Sequence, residues 1–160
     1  MGSKQTFLSA KELVGIVDQR FPALVLYARS LNAHAAEDLV QEAFIKLVEQ
    51  PKRPENPAAW LCKTIRNAAI GRHRKAERQR KHETEAARQK SDWFVPADSL
   101  LAKEAAEKLD ELPSEQKEIV VLRIWNQLSF DEIAELTGMP KTSVFRMYSE
   151  ALKELKRKLT

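Results

Sequence analysis

An all-α fold in two small helical domains is predicted by three features of the 160-residue sequence. Apolar residues recur at i, i+3, i+4 and i+7, the spacing of one helix face, and no run alternates as a half-buried strand does. Only four glycines are present, too few for a chain built on many tight β-turns. Between residues 83 and 99 the helical stripe is lost, charges of both signs mix and Pro96 appears. A flexible linker is therefore expected there, between a first domain at 5–82 and a second at 100–160.

The first helix opens on a capping-box pattern, Ser9 with Glu12 three residues on, followed by Leu13, Ile16 and Val17. Phe21-Pro22 is expected to interrupt it, because proline has no N–H for the helical ladder. An apolar helix resumes from Leu24 to Leu31, and Asn32 to Ala35 is a turn.

The helix from Ala36 to Gln50 turns Ala36, Val40, Ala43 and Leu47 inward and Asp38, Gln41, Glu42, Ile45 and Glu49 outward. A single exposed isoleucine is ordinary. Ringed by acids, it also suits an anchor for a protein partner with a basic surface. Pro51, Pro54 and Pro57 then hold an extended loop containing Lys52, Arg53, Glu55 and Asn56. Asn56 can cap the next helix, and Pro57 fits its first turn. In that helix Leu61, Ile65 and Ala68 point one way, and Trp60 is expected to pack in the core, where an exposed edge could still stack on a base. From Arg66 onward its polar side is basic: Arg66, Arg72, Arg74, Lys75, Arg78, Arg80 and Lys81, with Asn67 among them. A charge run is commonly a solvated face. One that continues a packed helix suits a phosphate-tracking surface.

Trp93, Phe94 and Val95 form an apolar island in the linker. Leu101, Ala105, Leu109 and Leu112 then share a helical face, Pro113 ends that helix, and Ser114 starts one carrying Ile119, Leu122 and Trp125. A helical hairpin follows. Ser129 and Glu132 form a capping box, and Ile133, Ala134 and Leu136 supply the buried stripe. Gly138 closes the helix in the left-handed conformation, and Pro140 fits the first turn of the second helix. There Val144, Tyr148, Ala151 and Leu155 share one face. Thr142, Arg146, Ser149 and Lys153 share the opposite one, with Phe145 at its flank. Hydroxyls, a guanidinium and an ammonium in one row suit base edges and phosphates of a major groove.

No catalytic constellation is apparent. His34, His73 and His82 lack metal-ligand spacing, and Cys62 is the single cysteine. There is no phosphate-cradling glycine loop and no nucleophile motif. An enzyme, a metal and a cofactor are accordingly not expected. The net charge of +4 is modest, so the clustering of the basic residues says more than their sum. Without a membrane-length apolar run or a secretory signal, a cytoplasmic protein with no membrane insertion is expected.

Two separated blocks resemble one family. AEDLVQEAFIKL at Ala36–Leu47 and NPAAWLCKTIRNAA at Asn56–Ala69 resemble region 2 of bacterial RNA polymerase sigma factors. LDELPSEQKEIVVLRIWNQLSFDEIAELTGMP at Leu109–Pro140 resembles their region 4. Their order and the short linker resemble the compact extracytoplasmic function (ECF) class, without a region 1.1-like extension or a further C-terminal domain.

The resemblance implies roles. Asp38, Gln41, Glu42 and Ile45 would dock on the clamp helices of the polymerase β′ subunit. The loop from Gln50 to Pro57, including Arg53, would hold the unpaired minus-ten strand with Lys46 and Asn67. Arg72, Arg74 and Lys75 would grip nearby phosphates. Thr142, Ser143, Phe145, Arg146, Ser149 and Lys153 would read minus-thirty-five duplex. Core RNA polymerase, through its β′ clamp helices and β flap, promoter DNA and a candidate anti-sigma factor are the implied partners. Gly71 stands where the family often has aspartate, and Thr142-Ser143 where it has a Gly-Thr pair. Met147 and Glu150 replace typical basic residues of the recognition helix, leaving fewer phosphate anchors. The competing reading of the residues is a free-standing helix-turn-helix regulator that binds duplex DNA as a dimer. An adaptor that has lost DNA binding is a third.

Overall fold

The computed structural model describes residues 9–80 and 107–159, all helical or irregular with no strand among them. The chain divides into two compact units, Met1–Asp92 and Trp93–Thr160. The linker expected at 83–99, its Trp93-Phe94-Val95 island, and Leu101 and Ala105 lie outside the described residues, as do Lys81 and His82.

The first unit packs three helices against one another, α1 (Ala10–Leu31), α2 (Ala36–Glu49) and α3 (Pro57–Arg80). Ser9 Oγ accepts from the Glu12 N–H at 3.1 Å, so the N-terminal cap forms where the sequence places it. Helix α1 continues through Pro22, contrary to the expected interruption. Packing overrides the missing hydrogen bond: Leu24 to Ala28 immediately beyond the proline are all buried, with Leu24 and Tyr27 fully so. A buried side chain of that size contributes about 1.5–3 kcal/mol, and several together outweigh the roughly 3 kcal/mol a mid-helix proline costs. Asn32 Oδ1 accepts from the His34 and Ala35 N–H groups at 3.2 Å each, which turns the chain into α2. Asn56 caps α3 through the Ala59 N–H at 3.2 Å, with Pro57 as its first residue. The inward stripe of α3 is Ala58, Leu61, Cys62, Ile65 and Ala69. Ala68 is only half-buried, so the expected stripe is rotated by one residue at that end. Trp60 is also half-buried.

In the second unit, helical residues 107–110 precede α4 (Ser114–Val120), which runs into a π turn at Val121–Trp125. Helices α5 (Phe130–Thr137) and α6 (Lys141–Leu159) form the hairpin, and α6 packs on both α4 and α5. The core contains Leu109, Leu112, Ile119, Leu122, Leu128, Ile133, Val144 and Ala151. Burial pushes the Asp110 carboxyl up despite Lys117 at 3.5 Å. The Lys158 ammonium, bonded to Glu111 at 2.8 Å, holds that carboxyl below its usual range.

Candidate functional site

Three surfaces carry the candidate residues, two on the first unit and one on the second.

The outer face of α2 follows from its inner one. Leu39, Val40, Ala43, Phe44 and Leu47 are buried, which leaves Asp38, Gln41, Glu42 and Ile45 exposed at i, i+3, i+4 and i+7. Ile45 is 58% exposed, and Val48, one turn further, adds an apolar neighbour that the sequence reading missed. The i+3 spacing from Ile45 was the available clue. An apolar centre with acids before it is the anatomy of a small protein-docking patch.

The second surface lies on α3 and the preceding loop. Lys46, Arg53, Asn67, Arg74 and Lys75 are exposed, and Arg72 is half-buried. Helical spacing puts Asn67, Arg74 and Arg78 on one side of α3, with Lys75 beside them. Lys63, exposed and one turn before Asn67, extends that row and was missed, although its i−4 spacing was visible. Arg72 is turned instead toward α2, where its Nη2 donates to Glu42 Oε1 at 2.6 Å. The structure thus joins one residue of the docking patch to one residue of the basic set. Arg53 is likewise engaged, donating through Nη1 to Glu12 Oε2 at 3.4 Å. The Arg72 and Glu42 side chains are 35% and 48% exposed. A pair so exposed to water contributes at most about 1 kcal/mol and exchanges partners easily.

The third surface is the outward side of α6. The hairpin is built as the sequence dictates. The Ser129 hydroxyl accepts from the Glu132 N–H at 3.1 Å, and the Glu132 carboxylate accepts from the Ser129 N–H at 2.8 Å. Gly138 takes φ 75°, which a side chain would resist. Only Ile133 of the expected α5 stripe is buried; Ala134 and Leu136 are half-buried because the helix is short and covered on one side. Pro140 stands just before α6, its carbonyl accepting from Val144 at 3.0 Å, one residue earlier than expected. Val144 and Ala151 are buried and Tyr148 and Leu155 half-buried, so the row of Thr142, Arg146, Ser149 and Lys153 faces away. Thr142, Arg146 and Lys153 are exposed; Ser149, like Ser143, is half-buried. Among the described residues no carboxylate sits on Arg146. Lys141 pairs with Asp131 at 3.1 Å, an exposed contact between the start of α6 and α5.

Sequence reasoning missed what supports this helix from behind. Asn126 is buried, and both its backbone N–H and its Nδ2 donate to the Val121 carbonyl at 3.1 Å, closing the π turn. Gln127 follows with φ 58°, the one non-glycine residue in the left-handed region among those described. Arg123 donates to the Leu128 carbonyl at 2.9 Å and lies 4.4 Å over the Phe130 ring. An asparagine at the end of an apolar run was the only hint in the sequence.

Among the described residues no cluster of His, Cys, Asp and Glu can hold a metal ion, and no helix is long and apolar enough to cross a membrane.

Comparison with known proteins places relatives around both units. Residues 17–79 match the family model for sigma-70 region 2, and residues 102–155 that for sigma-70 region 4. RNA polymerase sigma factor SigV of Bacillus subtilis is 33% identical, over 81% of this chain and 78% of its own. ECF RNA polymerase sigma factor SigW of the same organism is 27% identical, over 78% of each chain. The sigma factor RpoE, solved with the anti-sigma factor NepR from Bartonella quintana, shares the fold with a TM-score of 0.70. Its identity is 24%, and the match covers 94% of this chain and 98% of that one. CnrH, solved with the cytosolic domain of CnrY, does so with a TM-score of 0.59 at 22% identity, covering 96% and 91%.

Proposed function

The chain belongs to the sigma-70 family as an ECF-type RNA polymerase sigma factor, and on that premise we propose how its three surfaces divide the work of promoter-specific initiation. The first domain, 5–82, binds core polymerase and opens the minus-ten element. The linker, 83–99, tethers it to the second domain, 100–160, which reads the minus-thirty-five element as duplex and meets the β flap. The protein works in the cytoplasm and carries out no covalent chemistry; the polymerase makes the RNA.

Asp38, Gln41, Glu42 and Ile45 meet the β′ clamp helices, with the acids selecting a basic surface and Ile45 filling its apolar centre. Lys46, Arg53 and Asn67 hold the unpaired strand, and Arg72, Arg74 and Lys75 its phosphates. Capture of flipped bases offsets unstacking, which costs a few kcal/mol per step. Thr142, Ser143, Phe145, Arg146, Ser149 and Lys153 face the duplex. Of these, Arg146 is the best base reader, because a guanidinium bonds a guanine through two hydrogen bonds. Glu150, one residue outside the row, repels phosphate, so the backbone passes away from it. An anti-sigma protein that covered α2 or α6 would silence the chain, and RpoE in its complex with NepR offers a precedent for such a partner.

The observation that carries this reading is the exposed Ile45 among Asp38, Gln41 and Glu42, on the same unit as the basic row of α3. A duplex-binding regulator has no need of such a patch. Run-off transcription with purified core polymerase and promoter fragments tests it. Addition of the chain should confer initiation at specific promoters. Binding to palindromic duplex as a dimer, with no effect on the polymerase, would instead identify a free-standing helix-turn-helix regulator.

A further inference from the structure

We propose that Phe145 reads the 5-methyl group of a thymine in the base pair neighbouring the one contacted by Arg146; this rests on the reading of α6 as the duplex-reading helix.

Phe145 is 56% exposed, yet its ring is not loose. Its centroid lies 5.5 Å from that of Phe130, edge to face at 76°. Phe130 is in turn flanked by Tyr148, at 5.3 Å and 62°, and by the Arg123 guanidinium. Arg123 is fixed by its bond to the Leu128 carbonyl, and Ser129, next to Phe130, by the capping box. A line of contacts from the π turn to α6 therefore ends in an apolar ring on the flank of the outward row. A ring held in this way loses little conformational freedom when it is covered.

The ring offers no hydrogen bond, so it cannot match the polar edges that distinguish guanine, adenine and cytosine. The apolar group displayed in the major groove is the thymine methyl, which an aromatic side chain complements. Phe145 lies three residues after Thr142 and four before Ser149, the spacing of helical neighbours. Whatever covers it also covers the polar row. Phe145 and Arg146 are separated by 100° and about 1.5 Å of rise, so they address neighbouring base pairs and not the same one.

The test uses the full chain, alone and with core polymerase. Each preparation selects duplexes from a random library, and the selected duplexes are remade with deoxyuridine in place of one thymine at a time. Loss of the methyl should weaken wild-type binding about fourfold at one position and little elsewhere. Phe145→Ala should remove that thymine preference. Phe145→Tyr, which keeps the ring and its edge against Phe130, should retain it. Wild-type indifference to every deoxyuridine would overturn the inference, as would an unchanged thymine preference in Phe145→Ala; both leave duplex reading by α6 standing. Failure to select any duplex with either preparation would overturn the duplex-reading role and the inference together.

Discussion

The two units hold their candidate side chains in opposite ways. In the first, cations assigned to DNA are already bound by carboxylates, Arg72 by Glu42 and Arg53 by Glu12. In the second, the capping box and the Phe130 cluster hold the helix, and among the described residues no carboxylate sits on Arg146. On the proposed assignment Arg53 and Arg72 exchange partners before they reach DNA, whereas Arg146 has no carboxylate to leave among the described residues. Glu42 belongs to the proposed docking patch and also pairs with a proposed phosphate anchor. On this reading a basic partner that engages Glu42 releases Arg72 toward DNA, and by linkage the DNA favours the partner equally.

The largest expected effects come from breaking the docking patch. Ile45→Asp removes the apolar centre while leaving the Arg72–Glu42 pair intact, and Glu42→Lys opposes like charges across the interface. Each should weaken core-polymerase binding by about 2 kcal/mol or more, measured by titration, with helicity unchanged. Unaltered affinity in both variants would remove α2 from the interface. Next comes the reader helix. Arg146→Ala should cost about 1–3 kcal/mol on the preferred duplex and relax selection at one position. Lys153→Ala should weaken all sequences alike and reduce the salt dependence. If Arg146→Ala instead lowers affinity uniformly across single-base variants, its guanidinium is a phosphate anchor.

A smaller effect concerns the scaffold behind that helix. The left-handed conformation costs a residue with a side chain about 1–2 kcal/mol, and glycine gives back part of the gain as unfolded-state entropy. Gln127→Gly should therefore stabilise the chain by about 0.5–1 kcal/mol in denaturant unfolding. Destabilisation would mean that the Gln127 side chain contributes more than its strained backbone costs. The smallest effect sharpens the contrast between the units. Glu42→Gln keeps the shape of the patch but frees Arg72, so single-stranded DNA should bind the free chain about 0.2–1 kcal/mol more tightly. No gain over wild type would make the pair merely structural.

Much of this was legible in the sequence wherever one helix decides the outcome. The outer face of α2, the caps at Ser9, Asn56 and Ser129, and the outward row of α6 all follow from local spacing. Pro22 misled because a local rule lost to the burial of Leu24 to Ala28, which depends on other helices. The Arg72–Glu42 and Arg53–Glu12 pairs join residues 30 and 41 positions apart, a separation that no periodicity encodes. The π turn escaped for a related reason. It depends on one extra residue before the cap and on the buried Asn126 amide, neither of which disturbs the pattern of apolar residues.

The division of labour is tested most directly by permanganate mapping of the promoter bubble, with occupancy measured on the same complexes. The holoenzymes compared carry the wild-type chain, Asn67→Ala or Arg146→Ala. Asn67→Ala should occupy the promoter nearly as wild type does yet leave the minus-ten thymines unreactive. Arg146→Ala should lose occupancy, but its remaining complexes should open normally. Parallel loss of occupancy and opening in both variants would contradict the assignment of strand capture to α3 and duplex reading to α6.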